Sequence, residues 1–209
     1  MTLSMLQIDE KSKKMLSSLK MNNFFNHMEN NKEDNRILAL SYMLHEKQKD
    51  KAGVDYIIHL MHVGDIAIGI KDQMGCSHLS DTTIVQGCLL HDSKEDKEPE
   101  DVRQKLGVTQ EQLYLEYDIH EEAKIAVDDV SRLDGETYFG FIDRIIESSK
   151  ANPLSKLVKV ADLLSNSNDI RCQEMPLNEG LSKRYDRALK KLGHPVGFRK
   201  KHDLQFSPM

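Results

Sequence analysis

The chain has 209 residues, with no tryptophan, three cysteines, five prolines and only 6 % aromatic residues. So few cysteines, odd in number, exclude a disulfide scaffold, and Cys76, Cys88 and Cys172 lack the CxxC pairing of structural zinc sites. They read as reduced thiols, with Cys88 in the core. No apolar run approaches the ~20 residues needed to span a bilayer. Charges scattered through Met1 to Lys20 leave no apolar stretch for a signal peptide. Both absences point to a cytoplasmic protein with no membrane partner. Excess basic charge is missing too: a net charge of -5 and a pI near 6.0 argue against a nucleic-acid partner, because backbone binding needs concentrated Lys and Arg.

What is present is a well-solvated globular composition, 30 % charged with a mean hydropathy of -0.55. Strand-like alternation is scarce and apolar residues recur at helical spacing, so the expected fold is all-α, a single helical bundle. The spacing divides the chain into an N-terminal helical extension over 1–31, one domain over 32–193 and a basic tail over 194–209. The lead-in reads as a polar helix. Asp34 is expected to cap a helix carrying Ile37, Leu40, Tyr42 and Leu44 that ends near Lys49. A turn around Gly53 precedes a long helix from Tyr56 to Met74. After a loop at Gly75 to Ser80, Asp81 is the expected N-cap of an apolar helix running into His91-Asp92-Ser93-Lys94-Glu95-Asp96. The segment from Glu98 to Leu133 should be helical with breaks near Gly107 and Asp118. Asp134 to Tyr138 opens a helix through Ile146, Pro153 starts one carrying Leu157, Val160, Asp162 and Asn166, and a last helix spans Ser182 to Leu192.

Chemistry concentrates at three places. His91 and Asp92 stand side by side where an apolar helix ends, and His59 lies in the first turn of an upstream helix. Asp162 interrupts the apolar run KLVKVADLLSN, where a carboxylate is costly to bury unless a cation or strong donors receive it. An HD dipeptide alone is weak evidence. The company of His59 and Asp162 makes a divalent-cation site the better reading, and imidazole with carboxylate suits Mn, Fe, Zn or Mg. Glu95 and Asp96, just beyond the ligands, are placed for general acid-base work on a bound water or a leaving oxygen.

The order YIxH, LLHDxxED, VKxADxxxN resembles the hydrolase domain of the RelA/SpoT family and the small alarmone hydrolases, from about His45 to Asn166. The resemblance implies an HD-domain helical bundle holding one Mn2+ through His59, His91, Asp92 and Asp162. It implies a (p)ppGpp-type 3'-pyrophosphohydrolase that releases pyrophosphate from a small phosphorylated nucleotide, with Glu95 and Asp96 catalytic. Tyr56, Lys159 and Asn166 match residues the family places beside the ligands and substrate.

The chain departs from the family in one informative place. It reads Asp50-Lys51-Ala52 where relatives carry Arg-Lys-Ser, so the base-holding Arg is absent and Lys49 or Lys51 is left to supply charge. Two alternatives follow: an HD hydrolase of another nucleotide (a nucleoside mono- or triphosphate, or the 2'-phosphate of NADPH), or a non-catalytic nucleotide-sensing module. His45, His62 and His78 read as surface or supporting histidines, and Arg132, Tyr138, Arg144, Arg184 and Tyr185 as candidate phosphate or base contacts.

Overall fold

Apolar residues at helical spacing produce helices throughout. The computed structural model describes residues 6–29, 31–94, 96–174 and 176–194. Among them the helices are α1 (Glu10–Leu19), α2 (Asn22–Met28), α3 (Lys32–Leu44), α4 (Ile57–Ile70), α5 (Asp81–Leu90), α6 (Lys97–Leu106), α7 (Gln110–Glu116), α8 (Glu121–Val130), α9 (Tyr138–Ser148), α10 (Pro153–Asn166), α11 (Asp169–Glu174) and α12 (Glu179–Lys191). No strand occurs among the described residues, only an isolated antiparallel bridge between Lys49 and Asp55. The all-α expectation is met. No helix of the described residues is long and apolar enough to cross a membrane.

Helix α4 is buried on nearly all sides, which is what an apolar helix without a polar face requires. It packs against α2, α5 and α10, and α10 also packs against α8. These contacts put the two helices richest in buried residues, α4 and α10, directly against one another. Cys88 is fully buried in this core, as expected.

The lead-in is less polar in its packing than its composition suggests. Met15, Leu19, Met21, Phe24 and Met28 of α1 and α2 are buried, and the Phe24 ring lies where a Cβ on Gly64 of α4 would come within 3.0 Å of it. A side chain at Gly64 would push the two helices apart. Capping differs from expectation twice. Asn31, not Asp34, caps α3 by accepting from the Asp34 amide. Asp34 is instead fully buried and hydrogen-bonds His27. Ser80, not Asp81, caps α5, because its hydroxyl reaches the Thr83 amide while Asp81 ion-pairs with Lys71 at 2.6 Å. Helix α3 ends at Leu44 and α4 at Ile70, both earlier than periodicity alone predicts; after α4 the chain turns away through Gly75 at φ 72. The breaks at Gly107 and Asp118 are real, each with a positive φ. Helix α11 has no counterpart in the sequence reading. The tail 195–209 and Glu95 lie outside the described residues.

Candidate metal centre

Four side chains from separated parts of the chain meet in the core between α4, α10 and the end of α5. His59 sits in the first turn of α4, His91 and Asp92 lie just past Leu90, and Asp162 is in the third turn of α10. Nε2 of His91 is 2.9 Å from Oδ2 of Asp92 and 3.9 Å from Oδ1 of Asp162. Nε2 of His59 is 3.4 Å from Oδ1 of Asp162 and 4.0 Å from Oδ2 of Asp92. Donors held about 2.1 Å from one ion sit about 3.0–3.4 Å apart when adjacent and about 4.2 Å when opposite. The observed separations fall across that range. Among the described residues His59, His91 and Asp162 present donor atoms all within 4.8 Å of one another, and these three buried residues could hold a metal ion; Asp92 is not part of that set.

The hydrogen bonding of each ligand fits this use. His91 directs Nδ1 at the Cys88 carbonyl, 2.8 Å away, which assigns the proton to Nδ1 and leaves Nε2 as the donor in the neutral ring. That Nε2 is buried without a hydrogen-bond partner, because Asp92 approaches it closely but out of line. Such an orphan atom is rare in a core and is what an ion would satisfy. Asp162 accepts from Lys159 Nζ at 2.8 Å and from Asn166 at 2.6 Å, one turn to either side on α10. Tyr56 donates its hydroxyl to Asp92 at 2.6 Å. His59 turns Nδ1 toward Ser165 Oγ at 3.0 Å and is also touched there by Arg171. A hydroxyl can accept from Nδ1 whereas a guanidinium only donates, so a ring that ligates through Nε2 uses Ser165 as its partner.

Burial and the crowded charges shift these groups in different directions. Burial, reinforced by the Arg171 cation, holds His59 down at about 4, and the same two causes hold His62 at about 3. Burial also lowers His91, but the Asp92 and Asp162 carboxylates outweigh it and raise that ring to about 9. Burial would raise Asp162, yet Lys159 and the two imidazoles prevail and keep it well below the usual carboxylate range. Asp92 is lowered likewise, burial being overcome by His91. Tyr56 is pushed up by burial and then by Asp92, so its phenol keeps its proton and remains a donor.

Around the candidate ligands the remaining expected residues divide. Lys159, Asn166 and Tyr56 touch the ligands directly, as above. Asp96 accepts from Gln48 at 2.6 Å, and Gln48 in turn meets His45 Nδ1 at 2.6 Å, while the His45 ring stacks on Tyr56. Glu95 is not among the described residues. Lys49 commits its ammonium to Asp55 at 2.6 Å and Asp9 at 2.7 Å, away from the ligands, and Lys51 is exposed. His62 is a buried support that meets Ser165 at 3.0 Å, and His78 is exposed. Arg144 is taken up by Glu136 and by the carbonyls of Asp129 and Ser131. Arg132 is held by the Glu136 carbonyl.

Two residues at the centre carried no signal in the sequence. Ser165 is a small polar residue one turn beyond Asp162, and Arg171 lies in an unremarkable polar stretch. Arg171 is buried, donates to Ser165 at 2.8 Å, and ion-pairs at 3.1 Å with Asp50, the residue standing where the resembled family has its Arg. Asp50 also receives the Ala52 and Val54 amides at 2.9 and 3.0 Å, closing the turn around Gly53 at φ 76. No protein-family model matches this chain and no curated protein matches its sequence, so what the centre can do is read from its own side chains.

Proposed function

We propose that the chain is a metal-dependent phosphohydrolase of the HD superfamily, similar to the RelA/SpoT hydrolase domain, with Mn2+ as its cation and a (p)ppGpp-type alarmone as its substrate. What supports this most directly is the convergence of His59, His91, Asp92 and Asp162, with contacts of 2.9 to 4.0 Å among them. A bound divalent cation supplies Lewis acidity toward a phosphoryl oxygen and a water acidic enough to attack near neutral pH. The protein's part is orientation. Cys88 fixes the ring of His91, Lys159 and Asn166 fix the carboxylate of Asp162, and Tyr56 fixes that of Asp92. Asp96, held by Gln48, is the group we assign to return a proton to the departing sugar oxygen, with Glu95 beside it in sequence.

One observation favours a second reading with the same chemistry and a different base. Asp50 is locked to Arg171 and Lys49 to Asp9 and Asp55, so neither supplies the planar guanidinium that would stack on guanine. The test is to strip the protein with chelator, reload it with Mn2+, and follow pyrophosphate and phosphate release from ppGpp, pppGpp, adenine analogues, deoxynucleoside triphosphates and NADPH. Pyrophosphate from ppGpp and pppGpp alone supports the alarmone reading, and phosphate from another member supports the second. Binding without turnover across the panel overturns both and leaves a nucleotide-sensing module.

A further inference from the structure

Beyond the ligands, α9 and α12 meet on the flank of α10 that carries Lys159. Lys159 lies with Nζ 5.1 Å from the centre of the Phe141 ring of α9, so α9 packs next to the centre. Tyr138, the first residue of α9, has a buried hydroxyl with no hydrogen-bond partner among the described residues. A phenol that gives up water without gaining a partner calls for an explanation. Over its ring, 5.3 Å from the centroid, stands the guanidinium of Arg184 from α12. Arg184 is exposed and makes no ion pair among the described residues, although acidic groups are plentiful in this chain. A guanidinium lying on an aromatic ring keeps its in-plane N–H groups free, and that fork matches two oxygens of a phosphate. Tyr138 lies one turn before Phe141 on α9, on the face that meets Lys159 of α10.

We propose that Tyr138 and Arg184 form an anion subsite beside the metal centre, which receives a phosphoryl group of the substrate other than the one being hydrolysed. The inference rests on the hydrolase reading and narrows it. A substrate that fills both places carries two separated anionic groups, as a nucleotide phosphorylated at two positions does and a simple monophosphate does not. Arg187 makes a similar contact one turn further along α12, 4.4 Å from the Phe139 ring. Phe139 offers no hydroxyl, so Arg187 serves as an internal control for nonspecific loss of positive charge.

The experiment titrates inorganic pyrophosphate into the Mn2+-loaded full chain by calorimetry, comparing wild type with Arg184→Ala, Tyr138→Phe and Arg187→Ala. Loss of a charge-assisted hydrogen bond at Arg184 should weaken binding about tenfold and loss of the phenol about fivefold. Arg187→Ala should stay within about twofold, as expected for an exposed charge outside the contact. Unchanged binding in both subsite variants, an equal loss in Arg187→Ala, or no pyrophosphate binding by wild type would overturn the subsite. Turnover of the nucleotide panel is scored separately on the same proteins. Wild-type hydrolysis with a KM indifferent to Arg184 removes the subsite and keeps the hydrolase. Absence of hydrolysis with Arg184-dependent binding removes the hydrolase and keeps an anion site. If both stand, Arg184→Ala raises KM for a doubly phosphorylated nucleotide about tenfold and leaves KM for a monophosphate unchanged.

Discussion

Loading an ion into this centre should expel a proton from His91. Burial opposes charge on that ring, but Asp92 at 2.9 Å and Asp162 at 3.9 Å outweigh it and raise the ring to about 9. Near neutral pH the metal-free protein therefore carries an imidazolium where the ion must bind. His59 and His62, held at about 4 and 3, are neutral over the same window and add no proton to the exchange. At pH 7 the ring lies about two units below its midpoint, so the ion binds roughly 100-fold more weakly than at alkaline pH, about 2.7 kcal/mol at 1.36 per unit. Affinity should rise about tenfold per pH unit up to the midpoint and then level off. Calorimetric titration of Mn2+ into chelator-stripped protein, run in two buffers of different ionisation enthalpy, reads out the released proton directly. An affinity flat between about pH 6.5 and 8.5, with no dependence on buffer, would refute the reasoning, because it would mean His91 is already neutral. The same shift has a sign in stability. A group raised from 6.5 to about 9 stabilises the metal-free fold fully below 6.5 and loses that contribution as pH rises through 9.

Three further outcomes follow from the same contacts. Asp162→Asn should abolish ion-dependent thermal stabilisation: an ion at 100 times its Kd contributes about 2.7 kcal/mol, or about 5–11 °C for a domain of this size. A full shift retained in the variant would remove Asp162 from the ligand set. Phe24→Ala, which empties a fully buried position against Gly64, should lower the urea unfolding free energy by about 3–5 kcal/mol. A loss below about 1 kcal/mol would make the N-terminal helices peripheral. On the acid side, His45, His59 and His62 are lowered from 6.5 to about 4, 4 and 3, chiefly by burial. Their contribution is present above 6.5 and is lost as pH falls toward those values, so the melting temperature in chelator should drop steeply below about pH 6, and a level curve would contradict it.

Much of this architecture could be read before any coordinates. Helical periodicity is strong where an amphipathic face must be buried, so α8, α9 and α10 appear in the sequence with their breaks. Glycines and a proline mark several of those breaks because their backbone limits are local. The candidate ligands stand out for a related reason: an acid inside an apolar run, as at Asp162, contrasts with its surroundings. What escaped depended on distant geometry. Asp34 and Asp81 look like helix caps, but each was claimed by a side chain elsewhere, His27 and Lys71 respectively. Phe24 gives no sign that it meets Gly64, and Arg171 none that it meets Asp50. The burial of α1 and α2 is likewise a property of what they touch.

The Arg171 contact also has a consequence for biosynthesis. The guanidinium reaches back to His59 across 112 residues and to Asp50 across 121. A ribosome making this chain releases His59 long before Asp162 and Arg171 exist, so the contacts around that ring close only after α10 and α11 have emerged. Long-range closures of this kind are slow relative to local helix formation. Until α10 and α11 emerge, the nascent protein holds scattered side chains rather than a cluster, so any cation this centre takes is taken after those helices have docked.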